Sequence, residues 1–135
     1  SGLLDIQELE QHQVAYSIAT DVGGGTSFSM LQTLSEAYKV TQMKGNKLSP
    51  LKSLYLATLG NAKTLQLEDK IGSFKTGNEA DFVVLDFNST AIMSLKQSKC
   101  KTLAEKLFAM IILGDDRAVE ATYVAGTCVH KRDGK

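Results

Sequence analysis

The sequence predicts an α/β fold, and three features predict it. A short apolar run, Val14 to Thr20, delivers one carboxylate, Asp21, and is followed by Gly23-Gly24-Gly25 and a helical pattern from about Ser27. An amphipathic helical stretch precedes that run, and helix then strand is the repeat unit of a parallel α/β fold. Further along, Asp81 to Phe87 and Val119 to His130 read as strands on either side of a helix from Leu103 to Leu113.

Each element has its own local reason. Leu3, Leu4, Ile6 and Leu9, with Asp5, Glu8 and Glu10 between them, read as the end of an amphipathic helix that turns near His12 and Gln13 into the strand. A start inside such a helix leaves the Val14 strand without a sequential parallel neighbour, so the beginning reads as a cut. After the glycines, Met30, Leu31, Leu34, Ala37 and Tyr38 recur at helical spacing, with Ser27 or Ser29 available as cap and an end expected before Gly45-Asn46. Ser49-Pro50 starts the next helix, whose apolar face is Leu51, Leu54, Tyr55, Leu59 and Ala62, with Gly60 placed to bend or interrupt it. Met30, Tyr38 and Tyr55 are read as core residues. Turn-forming sequences at Asp69 to Gly72 and Lys75 to Asn78 mark a boundary that divides the chain into 1–67 and 68–135. Asp81 to Phe87 is expected as a buried strand, and the polar stretch Asn88 to Lys101 receives no element. Thr102-Leu-Ala-Glu105 fits a capping box for a helix ended by Gly114, and the chain closes as a hairpin turning at Ala125-Gly126. Lys131 to Lys135 reads as a solvated tail.

Composition excludes several partners. A chain of 135 residues, 43% of them hydrophobic, is long enough for a real core. Fifteen basic and fifteen acidic side chains leave no net charge, so neither a nucleic acid nor a membrane surface is expected as partner. No apolar run approaches the roughly 20 residues that span a bilayer, and Ser1 to Gln13 does not read as a secretory signal; a cytoplasmic location is expected. Cys100 and Cys128 are too far apart for a Cys-x-x-Cys motif and are expected as free thiols, and the His-x-Glu and Pro-Cys-x-x-Cys signature of cytidine-type zinc deaminases is absent. His12 and His130 are read as surface residues.

The stretch around Asp21 admits three readings. Asp21 caps a structural turn by bonding to backbone two residues on. Alternatively it is a metal-binding or catalytic acid, presented at the carboxyl end of a strand above glycines that allow positive φ and close approach of a ligand. Thirdly, Gly23 to Ser27 cradles a phosphate at a helix N-terminus, although neither a P-loop ending nor G-x-G-x-x-G spacing is present.

Thr20-Asp-Val-Gly-Gly-Gly-Thr-Ser-Phe-Ser-Met-Leu-Gln-Thr-Leu-Ser-Glu-Ala-Tyr-Lys39, together with Tyr55 to Gly60, Ile71-Gly-Ser-Phe74, Glu79 to Asp86, Leu113 to Arg117 and Thr122 to Gly126, resembles the guanine deaminase family of zinc-dependent amidohydrolases. The resemblance runs from Ser1 to about His130. Glu79-Ala-Asp-Phe-Val-Val-Leu85 is common among amidohydrolases, whereas the Gly-Gly-Gly-Thr-Ser-Phe-Ser and Leu-Gly-Asp-Asp-Arg blocks point more narrowly.

The resemblance implies a C-terminal fragment of a metal-dependent (β/α)8 barrel, a fold that takes about 250 residues when complete. Residues 1–67 would supply its last strand and closing helices, and residues 68–135 the C-terminal share of a small accompanying β-sandwich. It implies zinc-dependent hydrolytic deamination of guanine to xanthine and ammonia in purine catabolism, with Asp21 as both metal ligand and catalytic proton relay. The family's other metal ligands, a His-x-His pair and two further histidines, and its ring-protonating glutamate have no counterpart here. Catalytic zinc takes about three protein ligands, so the chain alone is expected to bind zinc poorly and to be inactive. Thr20 and Gly23 to Gly25 would shape the strand end, Ser27 or Ser29 would either cap a helix or bond in the pocket, and Arg117 is expected in a local ion pair with its neighbouring aspartates. Two alternatives stand beside this reading: an amidohydrolase acting on another amino- or chloro-substituted ring, and a non-enzymatic domain. A strand at Val14 to Thr20 without a partner is a reason to expect a homo-oligomer.

Overall fold

Side-chain caps set where the helices begin. The structure, a computed structural model, describes residues 2–132. Asp5 accepts from the N–H groups of Gln7 and Glu8 at the start of α1 (Ile6–Gln11). Ser29 caps α2 (Met30–Met43), and Ser49 caps α3 (Pro50–Ala57) with Pro50 in its first turn. Each cap satisfies a donor that the helix itself cannot.

The α3 helix breaks at Thr58, whose φ of −127° and ψ of −99° leave the helical region, and α4 (Leu59–Thr64) follows at once. The interruption expected at Gly60 therefore falls two residues earlier. Gly60 is buried against the break, where a Cβ would stand 2.8 Å from the Tyr55 carbonyl oxygen.

Val14 to Thr20 forms no ladder among the described residues, which corrects the expected strand. An apolar run becomes a strand only where another strand accepts its hydrogen bonds. Here the bonds go to helices: the Ile18 N–H donates to the Leu56 carbonyl at 3.3 Å and the Asn61 side-chain amide donates to the Ile18 carbonyl at 2.9 Å.

The second half builds β1 (Phe82–Leu85), α5 (Ala91–Gln97), α6 (Leu103–Leu113), β2 (Val119–Val124) and β3 (Thr127–Lys131). The three strands form one antiparallel sheet in the order β1-β2-β3, Phe82 facing Tyr123 and Thr122 facing His130. Ala125 and Gly126, at φ 48° and 77°, make the hairpin turn with both central residues at positive φ, which matches the strands' right-handed twist. The expected buried strand is half-exposed: Val83 and Val84 are 54% and 38% accessible, because β1 lies at an edge of this small sheet. The Phe82 and Tyr123 rings stack across the β1–β2 pair at 4.5 Å.

The α5 helix was not expected in the polar stretch. Thr90 caps it and Met93 is its fully buried anchor. The capping box on α6 is present in full: Thr102 accepts from the Glu105 N–H, and Glu105 accepts from the Thr102 N–H at 3.0 Å. The α6 helix packs against α2, α3 and α5, crossing the division at 67/68. The core is Leu31, Met93, Met110 and Ala118, with Leu85, Phe87 and Leu113 packed around it. Tyr38 meets Phe108 edge-to-face at 5.0 Å. Met30 and Tyr38 are half-buried, whereas Tyr55 is exposed rather than a core residue.

Arg132 ties the end of the sheet to the chain's middle, donating to the Arg117 carbonyl and pairing with the Asp86 carboxylate at 2.8 Å. Lys131 in β3 and Arg132 therefore do not belong to the solvated tail expected from Lys131, and residues 133–135 of that expectation lie outside the described residues. The Arg132 hydrogen bond, with the Asn88 N–H, holds the Asp86 carboxyl below its usual range. A carboxyl lowered in the folded state adds stability that is present at neutral pH and is lost as pH falls through the folded value. Urea midpoints of the wild type and Asp86→Asn are therefore expected to differ at pH 7 and to converge in acid; a difference independent of pH would overturn the ion pair as its cause.

Candidate functional site

Asp21 follows the Val14 to Thr20 segment with φ 51°, in the left-handed region that aspartate tolerates better than most residues. Its main-chain carbonyl accepts from the N–H groups of both Gly24 and Gly25, closing a tight turn. The turn reading had assigned that work to the side chain. Because the backbone does it, the carboxylate is spared, and among the described residues it has neither a hydrogen bond nor an ion pair.

Gly25 is required by a backbone contact, and Gly24 faces the movable end of the Asp21 side chain. A Cβ at Gly25 would fall 1.9 Å from the Thr20 carbonyl oxygen, and one at Gly24 would fall 2.6 Å from Asp21 Oδ2. The triple glycine thus gives the chain room to double back beneath Asp21 and gives the carboxylate room to stand. Val22 and Phe28 flank it as exposed apolar side chains, 73% and 79% accessible.

The phosphate reading fails on position. The α2 helix starts at Met30, five residues beyond the last glycine, so no glycine N–H belongs to its first turn. Its entry is closed by its own serines: Ser27 Oγ accepts from the Ser29 N–H at 3.0 Å, and Ser29 Oγ accepts from the Gln32 N–H at 3.4 Å. Both serines are engaged in helix entry, the capping alternative of the two considered.

The other candidates are structural. His12 is the exposed C-cap of α1 and His130 is exposed on β3. Arg117 grips Asp115 through Nε and Nη2, the latter at 2.6 Å; this bond holds the Asp115 carboxyl below its usual range and raises the Arg117 guanidinium. Cys100 and Cys128 are free thiols. A separate polar cleft of about 420 Å³ between α1, the α2–α3 loop and α3 includes Glu10 and Lys52 in its wall. There the Tyr16 hydroxyl donates to Glu10 at 2.6 Å and Lys52 lies 3.3 Å from the same carboxylate, so these groups satisfy one another. The hydrogen bond from Tyr16 lowers the Glu10 carboxyl, and burial first, then Glu10, raises the Tyr16 phenol.

Among the described residues, no three His, Cys, Asp or Glu side chains lie close enough to hold a metal ion. Asp21 supplies one oxygen donor group, where a catalytic zinc takes about three protein ligands. The residues of this chain do not by themselves fit a catalytic metal.

Asn61 went unnoticed in the sequence. It lies inside a helical pattern between Leu59 and Ala62, and its contact with Ile18 spans 43 positions, a separation that leaves no local signal.

Comparison with known proteins places the chain. The amidohydrolase family profile matches residues 1–129. Guanine deaminase of Escherichia coli K12 is 48% identical over 133 residues, covering 98% of this chain and 30% of that protein. The solved structure of the E. coli guanine deaminase superposes with a TM-score of 0.95 over 98% of this chain and 31% of that one. The crystal structure of guanine deaminase from Bradyrhizobium japonicum, 36% identical, superposes with a TM-score of 0.87 over 97% of this chain and 35% of that one. The chain therefore spans about 30% of the length of the curated relatives it matches. With nearly every residue matched by the family profile and the same backbone shared with these structures, the chain belongs to the amidohydrolase family.

Proposed function

We propose that the protein carrying this chain is a guanine deaminase, which adds water to guanine and releases ammonia to leave xanthine. The observation that carries the reading is the Asp21 carboxylate, left without a hydrogen bond or ion pair at the end of an anchored segment, in a chain whose likeness to guanine deaminases runs nearly end to end. Asp21 is the residue we assign to the chemistry. As the water oxygen bonds to the amino-bearing ring carbon, the carboxylate takes a proton from that water. It then returns a proton to the departing nitrogen as the C–N bond breaks, so the carboxylate is regenerated.

Zinc is the metal we propose for the whole protein, with Asp21 as one of its ligands. The other donors would come from beyond these 135 residues, so no step is assigned to the metal here. The division into barrel-closing residues 1–67 and sandwich residues 68–135 belongs to the same proposal, as do a cytoplasmic location and self-association. No helix among the described residues is long and apolar enough to cross a membrane. The exposed edges of β1 and β3 support pairing with further strands.

The test is a chimaera in which this chain replaces the matching segment of the E. coli enzyme. With zinc supplied, it is expected to deaminate guanine in preference to adenine and to chloro-substituted triazines, while the 135-residue chain alone releases no ammonia. A well-folded chimaera that prefers another ring would support the alternative amidohydrolase reading, and turnover by the purified chain alone would overturn the assignment of the remaining donors to other residues.

A further inference from the structure

We infer that Asn61 is a positioning residue for the Asp21 carboxylate, acting through the backbone of Ile18. The inference rests on the deaminase reading for its catalytic consequence and on geometry alone for the clamp. A continuous helix through α3 and α4 would use the Leu56 carbonyl for the N–H four residues on. The break at Thr58 leaves that carbonyl to accept the Ile18 N–H. The same break starts a new helix whose third residue, Asn61, turns its amide onto the Ile18 carbonyl at 2.9 Å. Both main-chain groups of one residue are thus held by the two ends of a broken helix, in a segment with no strand partner among the described residues.

Three residues later the chain reaches Asp21. The turn beyond it is closed by Gly24 and Gly25, so Asp21 is fixed from both sides. Of these restraints, the Asn61 bond is the one made by a side chain, and it is replaceable without altering the backbone. A buried or half-buried helix position does not require an amide; the one donor used here does. Removing it frees the Ile18 carbonyl and lets the segment swing about the remaining bond.

The experiment has two readouts. In the E. coli enzyme carrying this chain, Asn61→Ala is expected to lower kcat by about 10²-fold, the cost of a displacement near 1 Å at a reacting group, with KM for guanine changed by less than about threefold. Asn61→Asp keeps the size but loses the donor and is expected to fall as far, whereas Asn61→Gln, which keeps the donor, recovers part of kcat. In the 135-residue chain, Asn61→Ala is expected to speed amide exchange at Ile18 by roughly tenfold, with the exchange of α6 unchanged. Should Asn61→Ala fold poorly, the isosteric Asn61→Asp carries both measurements. Wild-type kcat in Asn61→Asp would overturn the positioning role, and unchanged exchange at Ile18 would overturn the clamp itself. An inactive chimaera with Asn61 intact would instead strike at the deaminase reading, while the exchange measurement still decides the clamp.

Discussion

Asp21→Asn, made in the E. coli enzyme carrying this chain, is expected to lower kcat/KM for guanine by about 10³-fold or more, within the range lost when a general acid–base group is removed. Asparagine isolates the chemistry from the fold. It has the same shape, and it tolerates positive φ as well as aspartate does, so the residue's φ of 51° adds no new strain. The turn below it is also insensitive to the change, because Gly24 and Gly25 bond to the main-chain carbonyl of Asp21 and not to its side chain. What disappears is a negative charge with proton affinity, in a group that makes no structural bond among the described residues. The thermal midpoint of the variant is expected to match the wild type within a degree or two, and bound metal to fall. Asp116→Asn, at an exposed aspartate next to the Arg117 pair, serves as the control and is expected to leave turnover unchanged. An Asp21→Asn enzyme retaining a tenth or more of wild-type activity would move the proton relay to another residue.

The parts of this structure that were legible in the sequence are those decided within a few residues. Ser49-Pro50, the Thr102 to Glu105 box and the Ala125-Gly126 turn each carry their own chemistry, and each is where the spacing put it. Asp21 and its glycines were legible for the same reason, although the pattern could not say that the carbonyl would close the turn and leave the carboxylate spare. What was not legible depended on distant partners. Val14 to Thr20 has a strand's composition, yet its hydrogen bonds run to Leu56 and Asn61. β1 looked like a buried strand because Val83 and Val84 are apolar, but burial is a property of what lies above them. The α5 helix carries no inward apolar stripe: Ile92 and Leu95 are each 64% exposed, and of its two buried positions, Met93 and Gln97, one is polar. One inward apolar residue makes no stripe, so the stretch read as polar loop.

That inward apolar residue should be the most sensitive core position in the second half of the chain. Met93 is 0% exposed and touches a cluster formed with Leu31, Met110 and Ala118, joining α5 to α2, α6 and the approach to β2. Met93→Ala removes most of a buried side chain and leaves a void lined by groups on several elements, which cannot all collapse onto one short helix. The expected loss is about 2–5 kcal/mol by urea unfolding of the chain. Folded domains have about 5–15 kcal/mol in total, so the loss takes a large share of the stability. Met93→Leu nearly conserves volume and is expected to cost less than about 1.5 kcal/mol. Ile92→Ala, one residue away on the same helix but facing outward, should change stability by no more than about 0.5 kcal/mol. If Met93→Ala and Ile92→Ala cost the same, α5 is not anchored in the core and its packing against α6 has to be redrawn. If the large loss appears only in Met93→Ala, the stretch that gave no periodic signal is anchored in the core by that thioether, beside the bond from the buried Gln97 amide to the Lys106 carbonyl of α6.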